Sequence, residues 1–301
     1  MFHDLEYFAG KELYDYDPLE PLRDPSRYIP CVTSNWQNVV ELEFGDLFPT
    51  LVADPNADQL TGLGLGGSYY QLRTSEGIEY LAGVAAQLAQ LRALILGATH
   101  DIPISLLAHT DISPLWQAYP KLEILHLRGG NQLSLGELKH DHLQTLIIEC
   151  SGLPVSVLKE LARSQLPALT CLELFLGSAE YGWNGTVDDV RPLLSGELFP
   201  SLEYLGLCNS EIADDVAVAV AESPLLERIK VLDLSLGTLG DAGVKALLRN
   251  PAIKQLKRLN LQHSWLSGGV RKQLAKLPIE VELAGCYDFE ARGDRYVAVG
   301  E

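Results

Sequence analysis

The chain has 301 residues, of which 47% are hydrophobic and 21% charged, and its formal net charge is -17. This is the composition of a folded protein with a core. The acidic excess argues against a nucleic-acid partner, because phosphates are bound mainly through lysine and arginine. No apolar run is long enough to cross a membrane, so we expect no membrane partner. The first residues carry Asp4 and Glu6 where a secretion signal is basic, which predicts a cytoplasmic protein.

The cysteines bear on the kinds of site that the chain can form, and the charge distribution bears on its partners. The five cysteines include no CxxC pair, which argues against a disulfide framework and against a zinc cluster. Residues 1–60 hold twelve acids and three bases, whereas residues 245–276 hold eight bases and no acid. The basic stretch is typical of solvated helix faces, and the alternative is a surface that steers an acidic partner.

A frame of the form LxxLxL recurs along most of the chain. Its eight clear copies begin at Leu60, Leu91, Leu122, Leu143, Leu169, Leu202, Ile229 and Leu256. Weaker copies flank them at Val39/Leu42/Phe44 and at Val281/Leu283. Within a short strand, positions four and six of the frame point to one face, and positions three, five and seven to the other. A repeat of this kind predicts leucine-rich repeats, each with a strand and a helix.

Helical patterns lie between the predicted strands. Residues 154–162, 214–220 and 241–248 begin with Pro or Asp and repeat their apolar residues at helical spacing. The predicted fold is α/β: a leucine-rich-repeat solenoid in the form of a right-handed horseshoe, with a parallel concave sheet, convex helices and about nine to ten repeats. We expect an acidic cap at residues 1–38, the repeat domain at 39–285 and a second cap at 286–301.

Two groups of residues carry a family resemblance. Residues 202–212 and 232–243 resemble repeats of the ribonuclease-inhibitor-like type, and this resemblance extends over residues 39–285. Residues 180–189 and 295–301 resemble a bacterial cytosolic leucine-rich-repeat family of unassigned function. The resemblance implies a scaffold or adaptor role and brings no catalytic residues with it.

Two short motifs suggest chemistry only weakly. The glycines from Gly62 to Gly67 match GxGxxG, but Leu63 and Leu65 of this segment belong to a repeat strand, where the dinucleotide motif needs a strand-to-helix turn. The segment from His140 to His142 has two imidazoles and a carboxylate, and a solvated turn is favoured over a metal site. We therefore expect no catalytic residue, no cofactor and no metal.

Alternate positions of the strands predict the composition of the inner wall. Its centre presents large apolar side chains and its edge presents charges, which is the composition of a recognition surface. The predicted partner-binding residues are Ile124, His126, Arg128, Ile147, Glu149, Glu173, Phe175, Tyr204, Val231, Asp233, Tyr181 and Trp183. In the alternative interpretation, the long segments after Gly67 and Gly177 fold over the sheet and cover these residues within the molecule.

The sequence thus predicts a protein that binds another protein and is monomeric when alone. The first hypothesis is a scaffold or adaptor, and the alternative is a regulator, such as an inhibitor, immunity or accessory protein of a neighbouring enzyme. Since Phe175 and Tyr204 are expected to face solvent, the double change Phe175→Asp and Tyr204→Asp should leave the fold intact.

Overall fold

The computed structural model describes residues 6–33, 43–66, 71–99, 102–287 and 294–300. One sheet runs through the described part of the chain. Its strands are β1 (Tyr7–Phe8), β2 (Lys11–Asp15), β3 (Tyr28–Val32), β4 (Gly62–Leu65), β5 (Ala93–Leu96), β6 (Ile124–Arg128), β7 (Thr145–Glu149), β8 (Cys171–Gly177), β9 (Tyr204–Ser210), β10 (Val231–Asp233), β11 (Arg258–Asn260) and β12 (Glu280–Glu282).

The sheet follows the order of the chain. Each strand pairs with the strand before it and the strand after it, from β1 to β12. The β1–β2 pair is antiparallel, and the pairs from β2–β3 to β11–β12 are parallel. Among the described strands the first and last do not pair, so the sheet is open and is not closed into a barrel. This is a solenoid-like α/β architecture.

Helices connect most of the parallel strands. They are α1 (Phe44–Ala53), α2 (Gln71–Gly83), α3 (Pro114–Ala118), α4 (Val155–Leu161), α5 (Val187–Val190), α6 (Ala213–Ala221), α7 (Asp241–Arg249) and α8 (Gly268–Leu274). The sequence pattern predicted three of them, α4, α6 and α7, and the structure confirms these within two residues at each end.

The main core lies between the sheet and the helices. Positions one, four and six of all eight clear copies of the leucine frame are at most 3% exposed and belong to one continuous cluster. Side chains such as Phe48, Val216 and Val244 pack onto them from the helices. Because side chains of a strand alternate between faces, the residues between these leucines lie on the opposite side of the sheet, here called the second face.

The first part of the chain departs from the predicted pattern. Residues 34–42, which include Val39, lie outside the described residues, and Phe44 begins α1 rather than ending a strand. The strand that precedes β4 in the sheet is β3, and β1 to β3 continue the same sheet. Among the described residues, no α-helix combines the length and the apolar character needed to cross a bilayer.

Candidate functional site

The second face carries ten of the twelve predicted partner-binding residues in rows, because the parallel strands are in register. The strand-start row consists of Ile124, Thr145, Cys171, Tyr204, Val231 and Arg258. The middle row consists of His126, Ile147, Glu173, Gly206, Asp233 and Asn260. Beyond them, a strand-end row includes Arg128, Glu149, Phe175 and Cys208.

Two chain segments cover the strand-end row. Residues 102–107 follow β5, and residues 294–300 lie far away in sequence, yet both pack on the same strands. Together they form a second apolar cluster, whose buried members are Ile104, Leu107, Phe175, Cys208, Leu236 and Val299. Phe175 is only 1% exposed as a result.

The first strands of the sheet are covered in a similar way by Phe8, which is 7% exposed. Phe8 forms a third apolar cluster with Ile29, Ala93 and Ile95 of β3 and β5. Its ring centroid also lies 6.4 Å from that of His126. The β1–β2 hairpin therefore contributes a side chain that caps the second face.

The expectation that Phe175 and Trp183 face solvent is wrong. Phe175 is enclosed by residues 102–107 and 294–300, and Trp183 is 3% exposed and belongs to the main core. The alternative interpretation, intramolecular covering, is closer to the structure, but the covering segments differ from those predicted. Gly67 and the three residues after it lie outside the described residues, and the segment after Gly177 buries Trp183 in the main core rather than placing it across the second face.

Tyr181 is the second aromatic residue of that segment. It lies in a 3₁₀ turn after β8 and is partly exposed. Its ring packs against Gly300, where a Cβ atom would come within 2.9 Å of the ring. Tyr181 thus lies beside the covering segment 294–300.

The charged residues predicted to rim the wall form a buried network instead. The Glu149 side chain is 1% exposed, and its Oε2 lies 3.3 Å from Nε of Arg128 and 3.2 Å from Nε2 of His126. Arg128 also donates to the backbone oxygens of Gly97 and Thr99, at 3.3 and 3.0 Å. A buried carboxylate needs such partners, so this network holds the ends of β6 and β7 to the loop that follows β5.

A second polar cluster joins β9, β10 and β11. The hydroxyl of Tyr204 donates to Oδ2 of Asp233 at 3.1 Å, and the amide of Asn260 donates to the same oxygen at 2.6 Å. Burial, reinforced by Asp233, raises the pKa of Tyr204, which keeps the phenol protonated as a donor. Next to this cluster, Glu173 lies over Gly206, where a Cβ atom would come within 2.8 Å of the Glu173 Cγ.

The strand-start row stays accessible. All six of its side chains are partly exposed, whereas most of the middle and strand-end rows is buried. Three of the predicted partner-binding residues belong to it, Ile124, Tyr204 and Val231, and Ile147 of the middle row is partly exposed beside them. These four side chains remain partly exposed, whereas the neighbouring His126, Glu149, Glu173 and Asp233 are buried.

The glycine motif has a packing role. Side chains of β3 and of the residue after it lie directly over its glycines: a Cβ atom on Gly62 would come within 2.5 Å of Ile29, and one on Gly66 within 2.3 Å of Thr33. Gly64 lies against Cys31 in the same manner, at 3.0 Å. The space above these glycines is therefore filled by Ile29, Cys31 and Thr33 of the same molecule.

The histidine segment forms a turn that is solvated at Asp141 and His142, as expected, but buried at His140. His140 is 4% exposed. Its Nε2 lies 3.0 Å from the oxygen of Tyr119, and its Nδ1 accepts from the backbone amides of His142 and Leu143. Asp141 and His142 are exposed. Within the described part of the chain, no three His, Cys, Asp or Glu side chains come together as a metal site would require.

All five cysteines are free thiols, and three are buried. Burial raises the pKa of the Cys31 and Cys150 thiols to about 12 and raises that of Cys208 well above its ordinary value. These thiols are protonated at neutral pH and are therefore poor nucleophiles.

Comparisons with known proteins give the fold a precedent. No protein-family model matches the chain, and no curated protein matches it. A crystal structure of a protein from Bacteroides fragilis, determined by a structural genomics consortium, resembles it with a TM-score of 0.76 and 29% sequence identity. The similarity covers 85% of this chain and 73% of that one.

Proposed function

We propose that the chain is a leucine-rich-repeat solenoid of the ribonuclease-inhibitor-like type that binds a protein partner through its strand-start row. The observation that carries the proposal is the row itself, six partly exposed side chains in register on six neighbouring strands. Neighbouring strands are about 4.8 Å apart, so the row extends over roughly 24 Å. That length is comparable with one side of a protein interface of ordinary size.

The composition of the row favours a protein partner. Ile124, Cys171, Tyr204 and Val231 give it an apolar part, and Arg258 adds a charge at one end. Interfaces commonly combine an apolar centre, enriched in tyrosine, with a polar margin. The row therefore has the character of a recognition surface.

The polar groups of the second face support binding rather than catalysis. The carboxylate of Glu149 is engaged by Arg128, and that of Asp233 by Tyr204 and Asn260. These carboxylates are engaged in holding neighbouring strands together. We therefore infer that this face binds a partner rather than catalyses a reaction. We infer a scaffold or adaptor of a bacterial cytoplasm, a reducing compartment that fits the free thiols.

The test compares three forms of the full chain. One carries Ile124→Lys and Val231→Lys in the strand-start row, and its matched control carries Leu19→Lys, since Leu19 is 92% exposed and lies outside the sheet. Partners captured from a bacterial lysate are identified by mass spectrometry, purified and titrated against each form. We expect the row variant to bind at least tenfold more weakly than the wild type, which corresponds to about 1.4 kcal/mol, and the control to bind normally.

Equal binding by all three forms would rule out the strand-start row as the interface. The same purified pair separates the two classes of function. A scaffold leaves the catalytic rate of its partner unchanged, whereas a regulator changes that rate in proportion to the complex formed.

A further inference from the structure

Residues 294–300, here called the strap, are held by their backbone. The amide of Ala298 donates to the carbonyl of Leu236 at 2.7 Å. Val299 is held at both of its backbone groups by one side chain, because its amide donates to Oδ1 of Asn209 and its carbonyl accepts from Nδ2, each at 2.8 Å. The Asn209 carboxamide thus donates one hydrogen bond to the backbone of the strap and accepts one from it, as a neighbouring strand would.

A pocket receives the side chain of Val299, which is 2% exposed. Its apolar neighbours in the cluster come from the strand ends and from the loop after β5, and they are Phe175, Cys208, Leu236, Ile104 and Leu107. These residues are all at most 6% exposed. The pocket is thus built from elements distant from the strap in sequence.

Arg295, which lies four residues before Val299, is also held by the body of the protein. Nη1 of Arg295 lies 2.9 Å from Oδ2 of Asp214 and donates to the carbonyl of Thr238 at 3.0 Å. The guanidinium occupies the space beside Gly240, where a Cβ atom would come within 2.3 Å of it. This position therefore combines an acid, a carbonyl and a glycine around one cation.

Aromatic contacts complete the attachment. The ring of Tyr296 lies 5.2 Å from that of Trp265 and 5.6 Å from that of Tyr287, yet Tyr296 remains 54% exposed. At the other end, Gly300 fits against the ring of Tyr181. Residues 295, 296, 298, 299 and 300 thus each have a partner in the body of the protein.

The groove is also marked by an unusual backbone. Asn209 and Leu236 have φ angles of +54° and +68°, in the left-handed region. Asparagine tolerates this region, but leucine rarely adopts it. The two residues provide the side-chain amide and the backbone carbonyl that bind the strap, and the same left-handed conformation recurs in the next repeat at His263, with a φ of +58°.

We propose that this groove is a recognition site for an extended peptide of another protein, and that the strap occupies it as an intramolecular ligand. The partner peptide would carry an arginine, an aromatic residue next to it, a small aliphatic residue four positions after the arginine and then a glycine. Main-chain hydrogen bonds provide affinity and side-chain pockets provide specificity, as in other modes of extended-peptide recognition. The site is separate from the strand-start row and does not depend on it.

The test frees the groove without altering it. The change Val299→Asp in the full chain places an unpaired charge in the apolar pocket and should expel the strap, while every groove residue stays native. Cys208 reports the release, because it is 1% exposed beneath the strap. Its alkylation rate, measured by mass spectrometry, should rise at least tenfold, whereas that of Cys150 in the main core should not change.

Binding is then measured with a fluorescein-labelled peptide that carries residues 294–300. The peptide should bind the Val299→Asp protein at least tenfold more tightly than the wild type, whose own strap competes at high effective concentration. Binding should disappear when Asn209→Leu is added, and a peptide with Val299→Asp should not bind. Equal binding to wild type and variant, or no binding to a variant with released Cys208, would overturn the proposal, as would a Cys208 that stays protected.

A milder pair of variants covers the case in which Val299→Asp does not fold. Gly240→Ala forces the Arg295 guanidinium from its position, and Gly268→Ala is its matched control, since nothing lies within 4 Å of a Cβ atom there. Gly240→Ala should raise Cys208 alkylation and peptide binding, and Gly268→Ala should change neither. If the wild type were a dimer that Val299→Asp dissociates, the straps would exchange between copies, and the proposal of a foreign peptide would be wrong.

Discussion

Replacing Phe175 with alanine tests whether the strand-end row is truly a second core. The side chain is 1% exposed and is enclosed by Ile104, Leu107 and Val299. Truncation of a buried phenylalanine costs about 3–5 kcal/mol, through lost burial and the cavity that remains. Because the covering segments are peripheral and can settle into part of the cavity, we expect the lower end, about 3 kcal/mol.

The assay is urea unfolding followed by circular dichroism, with the free energy of unfolding compared between variants. Phe199→Ala is the matched control, because Phe199 is equally buried but lies in the main core. We expect that variant to lose about 4 kcal/mol and Phe175→Leu to lose about 1 kcal/mol.

This prediction would be contradicted if Phe175→Ala lowered the free energy of unfolding by less than about 1 kcal/mol while the Phe199→Ala control showed its expected loss. The strand-end row would then not be covered. This result would restore the expectation that Phe175 is a solvent-facing contact residue. With the covering intact, Phe175→Asp buries an unpaired carboxylate, so the double change with Tyr204→Asp should unfold the protein rather than leave it intact.

Three further predictions concern groups around this face. His109 is buried, and its Nε2 lies 2.8 Å from the carbonyl oxygen of Arg128 at the end of β6. Burial lowers the pKa of His109 below its ordinary value, so the protein takes up a proton when it unfolds below about pH 6.5. The free energy of unfolding should therefore fall with decreasing pH by at most about 1.4 kcal/mol per pH unit. Urea unfolding at pH 7.5 and 5.5 should show a smaller loss for His109→Gln than for wild type. Glu149→Ala leaves Arg128 without its buried partner, and thermal and urea unfolding should show a loss of about 3 kcal/mol; a loss below about 0.5 kcal/mol would contradict the network. Gly177 has a φ of +79°, and a Cβ atom there would lie 1.8 Å from the oxygen of Ser151. Gly177→Ala should therefore lower the yield of folded protein, and normal yield with an unchanged melting temperature would count against the described turn.

The spacing of the leucines was enough to predict the strands β4 to β11 and the side that each one buries. Leu125 and Leu127, or Leu232 and Leu234, are two residues apart, and the alternation of a strand places both on one face whatever surrounds them. The helices α4, α6 and α7 were predictable for the same reason, since a local period carries their apolar stripe. These features depend on neighbours within a few residues.

Exposure of the second face was decided by contacts that have no local period. The alternation correctly separated Phe175 from the leucine core, but it carries no information on which distant segment lies above that face. Asn209 and Val299 are 90 residues apart in the chain and still form two hydrogen bonds. The apolar residues of segments 102–107 and 294–300 indicate that these segments are buried, but they do not indicate which surface they pack against. Which strand-face residues remain accessible, Ile124 and Val231 rather than Phe175, follows from where those two segments dock. Where the two segments dock depends on the geometry of the whole sheet rather than on the local sequence of the strands that they cover.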